Sequence, residues 1–134
     1  MSRGVATLDA LLLCDAASRD AQTGKWTLVG VFDAVWASEF PAIHPRMDVY
    51  FRVRTSDAVA MRLVCRAPDG SLGLLATIAL TPPARGLVEG AVRVTGLRLA
   101  APGDHQVALE ADGGTLGTTV LTAAALPSRG APLH

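Results

Sequence analysis

Lysine is almost missing from this chain of 134 residues: Lys25 is the only one among twelve basic side chains. Twelve acidic residues balance those cations, so the formal net charge is zero. That balance excludes bulk electrostatic steering towards nucleic acid or acidic lipid. It also removes the self-repulsion that keeps protein molecules apart, so self-association is open to the chain. Cysteine is scarce too. Cys14 and Cys65 are too few for a disulfide scaffold, and no Cys-x-x-Cys pair occurs. Two buried free thiols acting as small hydrophobes are expected, which fits a reducing cytoplasm. Aromatics number six. No stretch approaches the ~20 apolar residues of a membrane helix. The run Leu11-Leu12-Leu13-Cys14 has the look of a lipid-attachment site. Asp9 interrupts its apolar stretch and Leu13 is too bulky for a cleavage position, so a buried first strand is expected instead.

Helical periodicity is the next absence. Apolar residues do not recur at a spacing of 3.6, while period-2 runs bounded by Gly, Pro, Asp and Ser follow one another down the chain. About eight strands are expected: residues 7–17, 25–37, 46–55, 59–67, 72–81, 87–100, 104–111 and 115–124. The pattern predicts an all-β fold, an antiparallel β-sandwich of immunoglobulin-like or jelly-roll-like type. Residues 1–125 form one domain in this reading, and residues 126–134, with turn-forming composition and no period, form a loose tail.

Two hairpins can be registered from the turns, and a third is placed by its turn. Asp69-Gly70 suits a two-residue type I′ loop. Pairing outward from it sets Ala67 against Leu72, Cys65 against Leu74, Leu63 against Ala76 and Met61 against Ile78, all facing inward. A loop at Ser56-Asp57-Ala58 would pair residues 46–55 with 59–67. That register opposes Phe51 to Leu63 inside and Arg52 to Arg62 outside. The third turn is Asp112-Gly113-Gly114. Two strands look too long for one parity. Residues 87–100 change face near Gly96, where a bulge is expected, and residues 25–37 bend at Gly30.

The polar residues offer little catalytic chemistry. His44 lies in a Pro-rich loop, His105 opens a strand, and His134 ends the chain; none has metal-pair spacing. No nucleophile elbow or phosphate loop is present. An outward face carrying Tyr50, Arg52, Arg54 and Arg62 is the strongest polar signal, suited to an anion or acidic partner if not simply solvated. Nucleic acid is not expected there, since only Tyr50 could stack. Trp26, Phe32 and Trp36 share one parity and are read as core aromatics, with Trp36 also a candidate interface residue.

The segment Cys14-Asp15, Thr23-Gly24-Lys25, Val29-Gly30-Val31-Phe32-Asp33 and Phe40-Pro41 resembles an uncharacterised family of small bacterial proteins with a Gly-Lys-x-x-hydrophobic-x-Gly-x-Phe-Asp strand. The closing Pro102-Gly103-Asp104-His105 through Asp112-Gly113 is similar to that family's ending, although His105 stands where an aromatic is more usual. The resemblance implies an eight-stranded antiparallel sandwich and carries over no catalytic or binding residue.

The expected function is therefore non-enzymatic: a β-sandwich without a cofactor that works through protein–protein contacts, as a homo-oligomer or assembly component in the cytoplasm. Its motive is a surplus of apolar residues on outward parities, namely Leu11, Leu13, Val29, Val31, Val35, Leu75 and Ala79. Trp36, Val29, Val31 and Val35 are the candidate interface. A small-ligand or carbohydrate site around Trp36 or Tyr50 is the alternative. A metal- or anion-dependent enzyme would require His44, His105 and Asp104 to converge. Neither nucleic acid nor membrane is an expected partner.

Overall fold

A computed structural model describes residues 6–81 and 85–126. These residues form nine strands and no helix: β1 Thr7–Arg19, β2 Trp26–Phe32, β3 Ala34–Ala37, β4 Ala42–Arg54, β5 Val59–Arg66, β6 Leu72–Leu80, β7 Leu87–Leu99, β8 Gly103–Ala111 and β9 Gly114–Ala125. Sheet A has the order β2-β1-β4-β7, and sheet B has the order β3-β9-β8-β5-β6. Between them lies one core, with Leu11, Leu13, Met47, Val49, Phe51 and Val53 from sheet A meeting Met61, Leu63, Val107, Leu109 and Leu121 from sheet B. The expected all-β, two-sheet architecture is thus present. Cys14 and Cys65 are buried free thiols, and burial pushes both thiols above their ordinary pKa. The tail beyond Leu126 lies outside the described residues.

Residues 25–37 are two strands rather than one. The chain leaves sheet A after Phe32 and joins sheet B at Ala34, where β3 runs parallel to β9. The break falls at Asp33, whose carbonyl accepts from Thr122 N. Gly30, with φ of +66°, marks a gap in the β1–β2 ladder opposite Asp15. A side chain on Gly30 would collide with the Asp15 carboxylate. In β7, Gly96 (φ +65°) does stand at the expected change of face. No register shift accompanies it, because β4 changes face at the opposite position, Pro45.

The expected pairing of residues 46–55 with 59–67 does not form. β4 lies between β1 and β7 in sheet A, whereas β5 lies between β6 and β8 in sheet B. The loop at Ser56–Ala58 carries the chain across the sandwich instead of turning it back within one sheet. Facing apolar parities satisfy both arrangements, since residues across a sandwich interior are as apolar as neighbours along a ladder.

Turn chemistry redistributes in the same way. The two-residue loop with positive φ at both centres is Asp112-Gly113, with Ala111 opposite Gly114. At the β5–β6 turn the loop has three residues, Pro68-Asp69-Gly70. Ala67 N donates to Ser71 O, and Gly70 takes the positive φ. The Asp69 carboxylate accepts from the Ser71 hydroxyl and amide, which hold its pKa below the ordinary value. The extra loop residue shifts the near half of the hairpin by one, so Arg66 faces Leu72 and Val64 faces Leu74. A bulge at Leu75 restores the phase, and Leu63–Ala76 and Met61–Ile78 pair as expected.

Candidate functional site

Four strands border the two sheets, and they differ in how they are protected. β7 carries Glu89, Arg93 and Arg98 along its length, and β3 has four residues. β2 has seven, broken in conformation at Gly30. β6 has nine, Leu-Gly-Leu-Leu-Ala-Thr-Ile-Ala-Leu, without a charge or a proline. Charges, prolines, short length and bulges are the usual means by which an edge avoids pairing with another chain, and β6 has only the last, at Leu75. Its Leu75, Ala76, Ile78 and Leu80 pack on the core. Leu72 and Leu74 point outward and are 52% and 58% exposed.

Leu72 and Leu74 were missed in the sequence because the type I′ register turned them inward. Pro68 was the available signal. Proline suits the first position of a type I turn followed by a left-handed Gly, the three-residue hairpin loop. That loop moves every near-turn residue of β6 to the other face.

The outward apolar residues read from sequence divide into three groups. Leu11 and Leu13 are core residues of β1, correcting the expectation that they face out. Val35 and Leu75 also pack against the core. Val29 and Val31 remain over half exposed on β2, Ala79 is exposed on β6, and the candidate interface residue Trp36 is 44% exposed on β3. The reading of Trp26 and Trp36 as core aromatics is therefore corrected, while Phe32 does pack against the core. Trp26 lies on the outer side of sheet A, with its ring centroid 5.7 Å from that of Tyr50. The β1–β4 ladder ends at Cys14–Asp48, and Ala17 N then donates to the Asp48 carboxylate at 2.8 Å. The tip of the β1–β2 hairpin has thus left the plane of sheet A and covers its outer face.

The arginine face does not form as one cluster. Arg52 and Arg62 lie on different sheets, because β4 and β5 do not pair. Asp9, the bulged residue between Leu8 and Ala10, contacts Arg54 at 2.8 Å and Arg52 at 3.5 Å. Arg62 pairs with Glu110 at 2.9 Å, and Arg93 with the buried Asp48 at 3.4 Å. Tyr50 is buried rather than outward-exposed, and its hydroxyl donates to Glu89. Burial, followed by the Glu89 hydrogen bond and charge, pushes its pKa up to about 12.

His44 and His105 likewise occupy different sheets. His105 is buried on β8, with Nδ1 3.1 Å from Gly103 O and Nε2 without a partner. Asp104 accepts from the Thr122 hydroxyl. His44 packs against Phe32 and has a buried, unpartnered Nε2. It lines a cleft of about 250 Å³ with Asp15, Gly30, Val31 and Trp36. Among the described residues no group of three metal-ligating side chains occurs, and no helix is long and apolar enough to cross a membrane.

Compared with known proteins, residues 9–124 match the profile of a family of unknown function, DUF6941. No curated protein matches. Among solved structures, the chain is similar to the Pseudomonas fluorescens alkylpurine DNA glycosylase AlkC bound to DNA containing an abasic site analog. The TM-score is 0.53 at 13% identity, over 89% of this chain and 30% of that one. The likeness concerns the fold, and the chain spans under a third of the glycosylase.

Proposed function

The chain belongs to the family of unknown function DUF6941, and we propose that it is a non-catalytic β-sandwich that works by protein–protein contact, associating with its own copies through the β6 edge. One observation carries this reading: a nine-residue border strand with no charge and two exposed leucines. An open edge offers unpaired backbone groups to a further strand, and its apolar outward side chains favour covering that strand from water. Zero net charge leaves no general repulsion against it. The sandwich reads as immunoglobulin-like rather than jelly-roll-like. The order β3-β9-β8-β5-β6, with the last strand parallel to one that has just crossed between sheets, supports this.

Multi-angle light scattering on a dilution series tests the proposal. The wild-type chain is expected to move from a dimer to a monomer on dilution, and Leu74→Arg to be a monomer throughout. A wild-type monomer at every concentration overturns it. Nucleic acid is not proposed as a partner. Arg52, Arg54, Arg62 and Arg93 are each engaged by an acid, and the DNA in the glycosylase structure belongs to that longer protein.

A second reading, small-ligand binding, is supported by the cleft at the β2–β3 corner. There an exposed tryptophan, a carboxylate and a buried unpartnered imidazole nitrogen line one space. Titration of Trp36 fluorescence with small amines and sugars tests it; unchanged emission with every probe counts against it.

A further inference from the structure

The bulge in β6 decides which strand can complete sheet B. Before the bulge, Leu72 and Leu74 face outward and Gly73 lies opposite the core residue Cys65. At the bulge, Leu75 and Ala76 both face the core. After it, Thr77 and Ala79 are exposed while Ile78 and Leu80 pack inward. Strands in one sheet must match face to face, because side chains opposite each other lie on the same side.

A regular strand pairs with its own copy about a two-fold axis that runs through a residue. In β6 that arrangement fails over the full length: an axis at Ala76 would set outward Leu72 against inward Leu80. Moving the axis to the point between Leu75 and Ala76 removes the conflict. Leu72 then opposes the second copy's Ala79, Gly73 its Ile78, Leu74 its Thr77, and Leu75 its Ala76. Every pair shares a face, and the eight residues 72–79 take part. The other face-matched symmetric registers use five residues or three, and none covers both leucines to that extent. The outward pairs also set a large side chain against a small one, Leu against Ala and Leu against Thr.

Resting on the reading of β6 as the association edge, we infer that the partner is a second copy of this chain. It lies antiparallel to β6 about a two-fold axis at the Leu75–Ala76 bulge, and the two copies of sheet B become one continuous ten-stranded sheet. The contact is isologous and closed, so it stops at the dimer. It is small beside the ~1,600 Å² of a standard interface, so the dimer is expected to dissociate on dilution.

Cysteine cross-linking tests the register. In the double variant L74C/T77C the two introduced thiols lie directly opposite across the axis, within disulfide reach. Mild oxidation at high protein concentration is expected to give a covalent dimer. L74C alone places its thiols about 10 Å apart along the strands and is expected to stay unlinked. The wild-type thiols are buried, so the unmodified chain is the control. L72C/A79C asks the same question at the other end of the strand and serves if the first pair folds poorly. A dimer by light scattering in which L74C links to itself, or neither double variant links, overturns the register and leaves the edge reading standing. A monomer at every concentration overturns both.

Discussion

Sheet A and sheet B meet the same difficulty, apolar and polar groups on an outer face, and resolve it differently. Sheet A covers the part of its outer face around Tyr50 and Asp48, while Val29 and Val31 of β2 stay exposed. The β1–β2 hairpin leaves the sheet after Cys14, seats Trp26 on Tyr50, and gives the buried Asp48 an amide donor in Ala17. Among the described residues sheet B has no such flap over β6, and Leu72 and Leu74 stay exposed. An outward apolar residue is therefore not by itself a sign of a partner; it becomes one where the chain has supplied no cover of its own.

The covering hairpin should be the place where stability is most easily lost. Trp26→Ala is expected to lower the free energy of unfolding by about 2–3 kcal/mol in a urea titration, less than full truncation of a completely buried tryptophan. The oligomeric mass should not change. A loss below about 0.5 kcal/mol would mean that the flap contributes little and that the two sheets are alike after all.

Gly30→Ala probes the bend within that hairpin. The left-handed backbone and the collision with Asp15 together predict a loss of about 2 kcal/mol, read in the same titration. The pH dependence of Tyr50 sharpens the picture at a smaller scale. Its folded pKa of about 12 lies above the ordinary value near 10. The folded state thus holds the proton more tightly, and this contribution is complete below pH 10 and lost as pH rises towards 12. Tyr50→Phe is expected to flatten the fall in stability across that window. An unchanged slope would remove Tyr50 from the account.

At the bare edge the order reverses. Leu74→Arg is expected to change monomer stability by less than about 0.5 kcal/mol, as a surface substitution should, while abolishing association in light scattering. A large stability loss would show that Leu74 is structural and that sheet B covers its edge after all.

Much of the architecture was legible in the sequence. Strand positions followed from alternation, since the pleat forces period 2 on any strand with one buried face. The β8–β9 hairpin followed from its Asp-Gly turn. What alternation could not distinguish was a neighbour beside a strand from one across the core. Arg52 and Arg62 were therefore paired on paper and lie in different sheets. The exposed edge was hidden for a related reason: one residue of loop length turns Leu72 and Leu74 over, and only the conformational preference of Pro68 carried that information. Val29 and Val31 were legible as exposed candidates, and Trp36 only in its second reading as an interface residue. The folding back of the β1–β2 tip was not, because it depends on Asp48 in another strand accepting a hydrogen bond from Ala17.

The three-residue loop and the Leu75 bulge stand to each other as a frameshift stands to its suppressor. With every residue of β6 kept in the ladder, either one alone would turn half of the strand inside out; together they leave Met61–Ile78 and Leu63–Ala76 untouched. Deleting Leu75 removes the suppressor together with the residue it absorbs: Val64–Leu74 then runs straight into Leu63–Ala76 and every side chain keeps its face. The fold should survive with the loss limited to the packing of Leu75, which a thermal melt would check. Such an edge is regular, and its two-fold axis passes through Ala76 with Leu72 still opposite Ala79 and Leu74 opposite Thr77. Length at this hairpin is in that way free to vary wherever the order of faces is kept.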